Sequence, residues 1–342
     1  MPERIRERLR QYPEKLRLSD IHIRSGRALS VRADGDIITF DEDITTEEEV
    51  VAFLQAELSQ QDWETLQKEH DLDFAVVIDG QRFRTNAFYG LAGPSLVFRL
   101  IITDIPNIDV LGLPQSVHEI LKQKSGLVLV TGQTGSGKST SLAAMIDKIN
   151  SERGENIITI EDPIEFVHAD KKSIISQREV GPHTNSFSSA LKGALREDPD
   201  IILVGEMRDL VTISLALTAA ETGHLVFGTL HTSGAASTIS RVLDAFPAEQ
   251  QGQIRIQFAS AIQLVMTQRL HKLKAGKKGR VASFEVMVGV TAIRNLIREN
   301  KISQVANVLQ TGAKYGMISM EKSIENLVQK GIIDKPKDEA FK

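Results

Sequence analysis

GLVLVTGQTGSGKST, residues 126–140, is the stretch on which the fold turns. It carries an apolar run into a loop of the form G-x-x-x-x-G-K-[ST]. Beyond the loop, Leu142, Met145, Ile146 and Ile149 recur at spacings of three and four, the single apolar stripe of a helix lying on a sheet. A strand, a glycine loop and a helix in that order are the setting a phosphate loop requires. Gly132, Gly135 and Gly137 let the backbone turn its amides inward around phosphate oxygens, and the helix N-terminus adds positive partial charge. Lys138 is then expected to reach the β and γ phosphates of ATP, and the hydroxyl of Ser139 to ligate Mg2+. Gln133, Thr134, Ser136 and Thr140 complete the expected nucleotide cradle.

Outward from this loop, short apolar runs alternate with helical patterns: NIITIED (156–162), DIILVGE (200–206) and HLVFGTLH (224–231). Runs of this kind suit strands covered on both faces, which predicts an α/β domain with a mainly parallel sheet. The first third has another character. Alternating segments (SDIHIR, 19–24; ALSVRADGDIITF, 28–40) precede an acidic helical stretch, TTEEEVVAFLQAEL (45–58). In DFAVVIDGQRFRTNAF (73–88), Asp79-Gly80 between two strand-like runs signals a hairpin. ITDIPNIDVLGLP (102–114) has prolines at 106 and 114 and no sustained periodicity, so it reads as a connector. The expected organisation is a small α+β domain over 1–103, a linker over 104–114, and an α/β domain over 115–342 with a helical C-terminal portion.

Composition narrows the partners. Lysine and arginine number 41 against 45 acids, a net charge of -4 that gives no general attraction to nucleic acid or anionic lipid. The basic cluster HKLKAGKKGR (271–280) has no interleaved aromatics on which bases would stack, and it reads as a solvated turn. There is no cysteine, hence no disulfide or thiolate metal site. No apolar run approaches the length of a membrane span, and the N-terminal MPERIRERLR lacks the apolar core of a secretory signal. A cytoplasmic location is the expectation.

Two strand ends carry candidate chemistry. IITIEDPIEF (157–166) supplies Glu161 and Asp162, and PDIILVGEMRD (199–209) supplies Glu206, with Gly205 where such a strand usually ends in aspartate. Ligands of doubly wound sheets collect at the carboxyl ends of the strands, so both acids are expected near the loop. Glu206 is expected on the metal side with Ser139, and Glu161 is expected to orient or deprotonate the attacking water. Glu165 and Asp209 read as helix caps. His224 and His231 flank one strand at an odd separation, which points them to opposite faces unless one lies on a loop. Both are expected to sense the γ-phosphate.

GQTGSGKST, ITIEDPIEF, PDIILVGEMRD and TGHLVFGTLHT, in that order, resemble the Walker A, Asp box, atypical Walker B and His box of the secretion-type ATPases that power type IV pili and type II secretion. SDIHIRSGRALSVRADGDI (19–37) resembles the start of their PAS-like N-terminal domain, so the likeness spans nearly the whole chain. It implies a RecA-like P-loop NTPase domain beside a smaller α+β PAS-like domain, assembled as a homohexamer. ATP would be held between the RecA-like domain and N-terminal-domain arginines, and the candidates are Arg82, Arg84 and Arg99. Arg82 and Arg84 would share a face if one strand carries both.

AIRNLIREN (292–300) looks like the C-terminal signature of the retraction branch, with Ile293, Leu296 and Ile297 as an apolar stripe and Arg294 and Arg298 on a polar face. The chain also lacks the long N-terminal extension and the tetracysteine element common in assembly and secretion relatives. The resemblance thus implies a pilus-retraction motor that works on an inner-membrane platform protein and meets the membrane only through partners. An assembly or secretion ATPase is the alternative within the family, and a nucleotide-binding switch the alternative outside it.

Overall fold

A computed structural model describes residues 2–15, 18–33, 36–101, 104–274, 276 and 279–335. Asp34 and Gly35, Ile102 and Thr103 at the head of the connector, and Ala275, Lys277 and Lys278 of the basic cluster lie outside the described residues. The contacts divide into two units, Met1–Thr103 and Asp104–Lys342.

The first unit comprises α1 (Pro2–Lys15), β1 (Leu18–Arg24), β2 (Arg27–Ala33), β3 (Asp36–Thr45), α2 (Glu47–Glu57), α3 (Gln60–Glu69), β4 (Asp71–Ile78), β5 (Gln81–Gly90) and β6 (Gly93–Leu100). Its strands form one antiparallel sheet in the order β3-β2-β1-β6-β5-β4. Asp79 and Gly80 join β4 to β5 with φ of 51° and 82°, the paired left-handed conformation a two-residue hairpin needs. Alternate residues Ile21, Ile23, Leu29, Val31, Phe83, Leu96 and Phe98 are buried against Val50, Phe53 and Leu54 of α2. The acidic stretch becomes α2 because Thr46 and Glu49 close a capping box at its start.

The charge of α1 is neutralised inside this unit. Arg4 pairs with Glu49 (2.8 Å), Arg6 with Glu57 (2.5 Å), Arg8 with Asp43, and Arg10 with Asp79 (2.6 Å).

The second unit comprises α4 (Gln115–Ile120), β7 (Gly126–Thr131), α5 (Lys138–Glu152), β8 (Asn156–Glu161), β9 (Ile174–Glu179), α6 (Phe187–Ala194), β10 (Ile201–Val204), α7 (Leu210–Glu221), β11 (Leu225–Leu230), α8 (Ala235–Asp244), α9 (Ala248–Ala261), β12 (Ile262–Lys272), β13 (Arg280–Val288), α10 (Thr291–Arg298), α11 (Val305–Thr311) and α12 (Met320–Gln329). The sheet order is β13-β12-β7-β11-β10-β8-β9, parallel throughout except for β13 against β12.

Every residue of β7, β10 and β11 is buried, as their uniform apolarity requires. Alternation then sorts their side chains. Leu127, Leu129, Ile202, Val204 and Val226 enter a core with Ile213 and Leu217 of α7 and Phe258 of α9. Val128, Val130, Ile201, Leu203 and Phe227 enter the opposite core with Leu142, Met145, Ile146 and Ile149 of α5. The connector is part of this unit, since Ile108 and Leu113 are buried in the second core. The described part of 271–280 ends β12 and begins β13, so the basic cluster lies where two antiparallel strands meet. Among the described residues, no helix is long and apolar enough to cross a membrane.

Candidate functional site

Four carboxyl-terminal strand tips meet at one edge of the parallel sheet, and the loop after β7 occupies that edge. Thr131, the last residue of β7, lies beside Leu230 of β11 and Thr267 of β12, and its hydroxyl bonds that of Thr267 at 2.8 Å. The loop then turns through Gly132, Gly135 and Gly137 with φ of 141°, 76° and 89°. Side chains are excluded there twice over. A Cβ on Gly132 would stand 2.5 Å from the Gln268 carbonyl, and one on Gly137 would stand 2.8 Å from the Gln268 amide nitrogen. Gln268, on β12, also accepts a hydrogen bond from Ser141 of α5 at 2.8 Å, and both side chains are buried. The neighbouring strand therefore braces loop and helix together.

Gly137 begins α5 and offers no side-chain cap, so the first amides of that helix are left to a ligand. Lys138 curls back, donating to the carbonyls of Gly132 (2.9 Å) and Gln133 (3.1 Å). Burial pulls its ammonium below the ordinary lysine range, while the charges of Glu206 and Glu165 oppose that shift. Backbone, amides and ammonium together fit a polyphosphate. A metal has less to hold it: among the described residues no three His, Asp or Glu side chains cluster as ligands. A Mg2+ ion that kept phosphate oxygens and water as most of its ligands would need few protein donors. Ser139 and Glu206 are the donors that would complete such a site.

The two candidate carboxylates sit on adjacent strands in unlike surroundings. Glu161 ends β8. Burial raises its carboxyl from 4.5 to about 7, Thr159 and Gln177 pull the other way by hydrogen bonds, and the charges of Glu165 and Glu179 add to the rise. Glu206 lies two residues past β10. Its hydrogen bond and salt bridge with Arg208 (2.6 Å) hold it below the usual carboxylate range, and His231 Nε2 stands 3.3 Å from its Oε1. Two acids with affinities pushed apart in this way can divide proton transfer and permanent charge between them.

Gly205 lets the chain after β10 run tight against the end of β8. Its amide bonds the Ile160 carbonyl at 2.7 Å, and a Cβ there would lie 3.0 Å from that oxygen and 3.1 Å from Glu161 Cα. An aspartate in this position would crowd the end of β8, whose backbone would have to give by a few tenths of an ångström. The Thr229 hydroxyl bonds the Gly205 carbonyl, and the Met207 amide bonds the Thr229 carbonyl at 3.0 Å, which ties this turn to β11.

The expectation of paired histidines is corrected to one. His231 follows β11 beside the loop and Glu206. His224 precedes β11 at the opposite sheet edge, where its Nδ1 bonds the Ala219 carbonyl at 2.9 Å. Six strand residues, roughly 20 Å, separate the two ends. Asp209 caps α7 through the Thr212 amide at 2.9 Å. Glu165 caps nothing, because no helix begins there, and its charge bears on both Lys138 and Glu161. The polar face expected for Arg294 is also corrected. Arg294 turns inward and donates to the carbonyls of Gly289 (2.5 Å), Ala259 (3.2 Å) and Ser260, closing the C-terminus of α9, whereas Arg298 stays exposed.

Within the first unit, Arg82 and Arg84 alternate with buried Phe83 and share the sheet face away from its core. Arg84 lies opposite Arg99 in the register, paired with Asp73 at 3.1 Å, and Arg99 pairs with Asp20 at 2.9 Å. Sequence reasoning missed Thr159, Gln177, Arg208 and Gln268. The available signal was polarity inside strand patterns, as in TIE and SQRE; which strands pair was hidden.

Comparison with known proteins places the chain in a family. A family model described as "Type II/IV secretion system protein" matches residues 13–335. The Pseudomonas aeruginosa type IV pilus retraction ATPase PilT is 47% identical over 318 residues, 93% of this chain and 92% of that protein. A Neisseria gonorrhoeae twitching motility protein is 49% identical over 304 residues, 89% of this chain and 81% of that protein. A crystal structure of the pilus retraction motor PilT with bound ADP superposes with a TM-score of 0.90 at 44% identity, covering 98% of each chain.

Proposed function

The chain belongs to the type II/IV secretion system protein family, and from that membership we propose that it is the ATP-hydrolysing motor of type IV pilus retraction. The observation that carries the chemistry is the pair of unlike carboxylates, Glu161 near neutrality and Glu206 held charged, flanking a phosphate loop at one sheet edge. Loop amides and Lys138 bind the phosphates. Mg2+, resting on Ser139 and Glu206, would offset phosphate charge. Glu161 takes a proton from the attacking water, which bonds to the terminal phosphorus as the bond to the ADP oxygen breaks. His231, beside Glu206, is positioned to register the terminal phosphate.

The reading extends to assembly. Arg82, Arg84 and Arg99 would meet the terminal phosphate at a domain or subunit boundary of a homohexamer. Charged contacts present with ATP and absent with ADP would shift the arrangement of the two units, and driving such a pair of states from 1:99 to 99:1 takes about 5.5 kcal/mol of preference. Cycled around a ring at the cytoplasmic face of the inner membrane, this would work on a platform protein and return pilin to the bilayer. Similarity to retraction and twitching-motility proteins supports that assignment.

The test has two arms. Phosphate release by Lys138→Ala and Glu206→Gln should fall at least 100-fold, and wild-type turnover in either removes the site. A deletion strain should be overpiliated and nonmotile; a bald strain would make the protein an assembly ATPase.

A further inference from the structure

Strand β9 lies alongside β8 in register, with Thr159 opposite Gln177 and Glu161 opposite Glu179. Side chains two apart on a strand share a face, so Thr159, Glu161 and Gln177 converge. The Thr159 hydroxyl donates to Glu161 Oε1 at 2.6 Å, and Gln177 Nε2 donates to the same oxygen at 3.2 Å. No hydrogen bond to Oε2 is made among the described residues. Gln177 is itself fixed, for its Nε2 also donates to the Phe166 carbonyl (2.9 Å) and its Oε1 accepts the His168 amide (2.8 Å). Thr159 is wholly buried.

We propose that Thr159 and Gln177 are positioning residues that clamp one oxygen of Glu161 and so assign the other, Oε2, to take the proton of the attacking water. A free carboxylate rotates and presents either oxygen. Two donors on Oε1 remove that freedom and leave the lone pairs of Oε2 for the water. The same glutamine holds the 162–168 segment, so the segment after β8 and the reactive carboxyl are set by one side chain. Acid groups facing Glu161 are Glu165 from that segment and Glu179 from β9, neither of which donates to it. This rests on the reading of Glu161 as the base.

The experiment uses the purified full-length chain, with steady-state phosphate release from ATP and affinity for a fluorescent ADP analogue as readouts. Gln177→Leu and Thr159→Val are expected to lower kcat about 10- to 100-fold, the cost of a reacting group misplaced by a fraction of an ångström, with ADP affinity changed less than about 2-fold. Gln177→Glu keeps the acceptor for the His168 amide but loses the donor to both Glu161 and the Phe166 carbonyl, so its kcat should fall at least as far as that of Gln177→Leu, and Thr159, which holds nothing of that segment, separates positioning from scaffolding. Thr159→Ser, which keeps the hydroxyl, should recover most of the turnover lost in Thr159→Val, and this pair decides the matter if a Gln177 variant fails to fold. Near-wild-type kcat in Gln177→Glu or Thr159→Val, with Glu161→Gln inactive, overturns the clamp and leaves the base assignment standing. Full turnover in Glu161→Gln overturns both.

Discussion

Replacing Glu161 with glutamine should stabilise the second unit, and more so at alkaline pH. Burial places the carboxyl at about 7, where an exposed glutamate would sit at 4.5. A carboxyl with a raised folded-state affinity favours the folded chain while protonated; that contribution is complete below 4.5 and is lost as pH rises through 7. Each pH step between those values corresponds to about 1.4 kcal/mol, so relative to a group that stays neutral in both states Glu161 lowers folding stability by about 1 kcal/mol at pH 5 and about 3 kcal/mol at pH 8. Glutamine never charges, and its oxygen still accepts from Thr159 and Gln177. The advantage of Glu161→Gln over wild type should therefore grow by about 2 kcal/mol between pH 5 and pH 8, a difference of roughly 4–8 °C in melting temperature. Calorimetry or far-ultraviolet circular dichroism is the assay, because the single tryptophan, Trp63, reports on the first unit. An equal advantage at both pH values would refute the reasoning, since the carboxyl would then be no harder to ionise in the folded chain than outside it. The same variant should have lost turnover, so stability and activity move in opposite directions.

Gly205→Ala should cost about 1–3 kcal/mol by crowding Ile160 and Glu161, and should depress turnover more than nucleotide affinity; a silent alanine would mean that strand spacing does not set the carboxylates. Arg294→Ala leaves the last carbonyls of α9 unpaired and should cost about 2–3 kcal/mol in urea unfolding, with Arg294→Lys recovering only part because an ammonium lacks the fork. Gln268→Leu strands the buried Ser141 hydroxyl and loosens the phosphate loop, so stability should fall by about 1–3 kcal/mol and fluorescent ADP should bind more weakly.

Local patterns were legible in the sequence, and pairings were not. The glycine loop, the stripe on α5 and the Asp79-Gly80 turn each depend on residues within one or two elements, where period and backbone sterics decide the outcome. The site's supports arise across the sheet. Gln177 acts on Glu161 only because β9 lies beside β8, and Gln268 reaches the loop only because β12 lies beside β7. His224 and His231 look equivalent as flanks of one run, yet a parallel strand has a working end and a far end. Arg294 looked like a surface charge because an arginine's helical spacing cannot reveal an unfinished neighbouring helix. Gly205 looked like a missing aspartate, and only coordinates show the backbone of β8 filling that space.

Where each part of the site is anchored has a mechanical consequence. The phosphate loop hangs from β7, deep inside the sheet, whereas the threonine–glutamine grip depends on β9, its outermost ribbon. Gripping a nucleotide and splitting it are thus fastened to different depths of one scaffold. A disturbance confined to the rim, where β9 has a neighbour on one side alone, would thus reach the grip before it reached the loop.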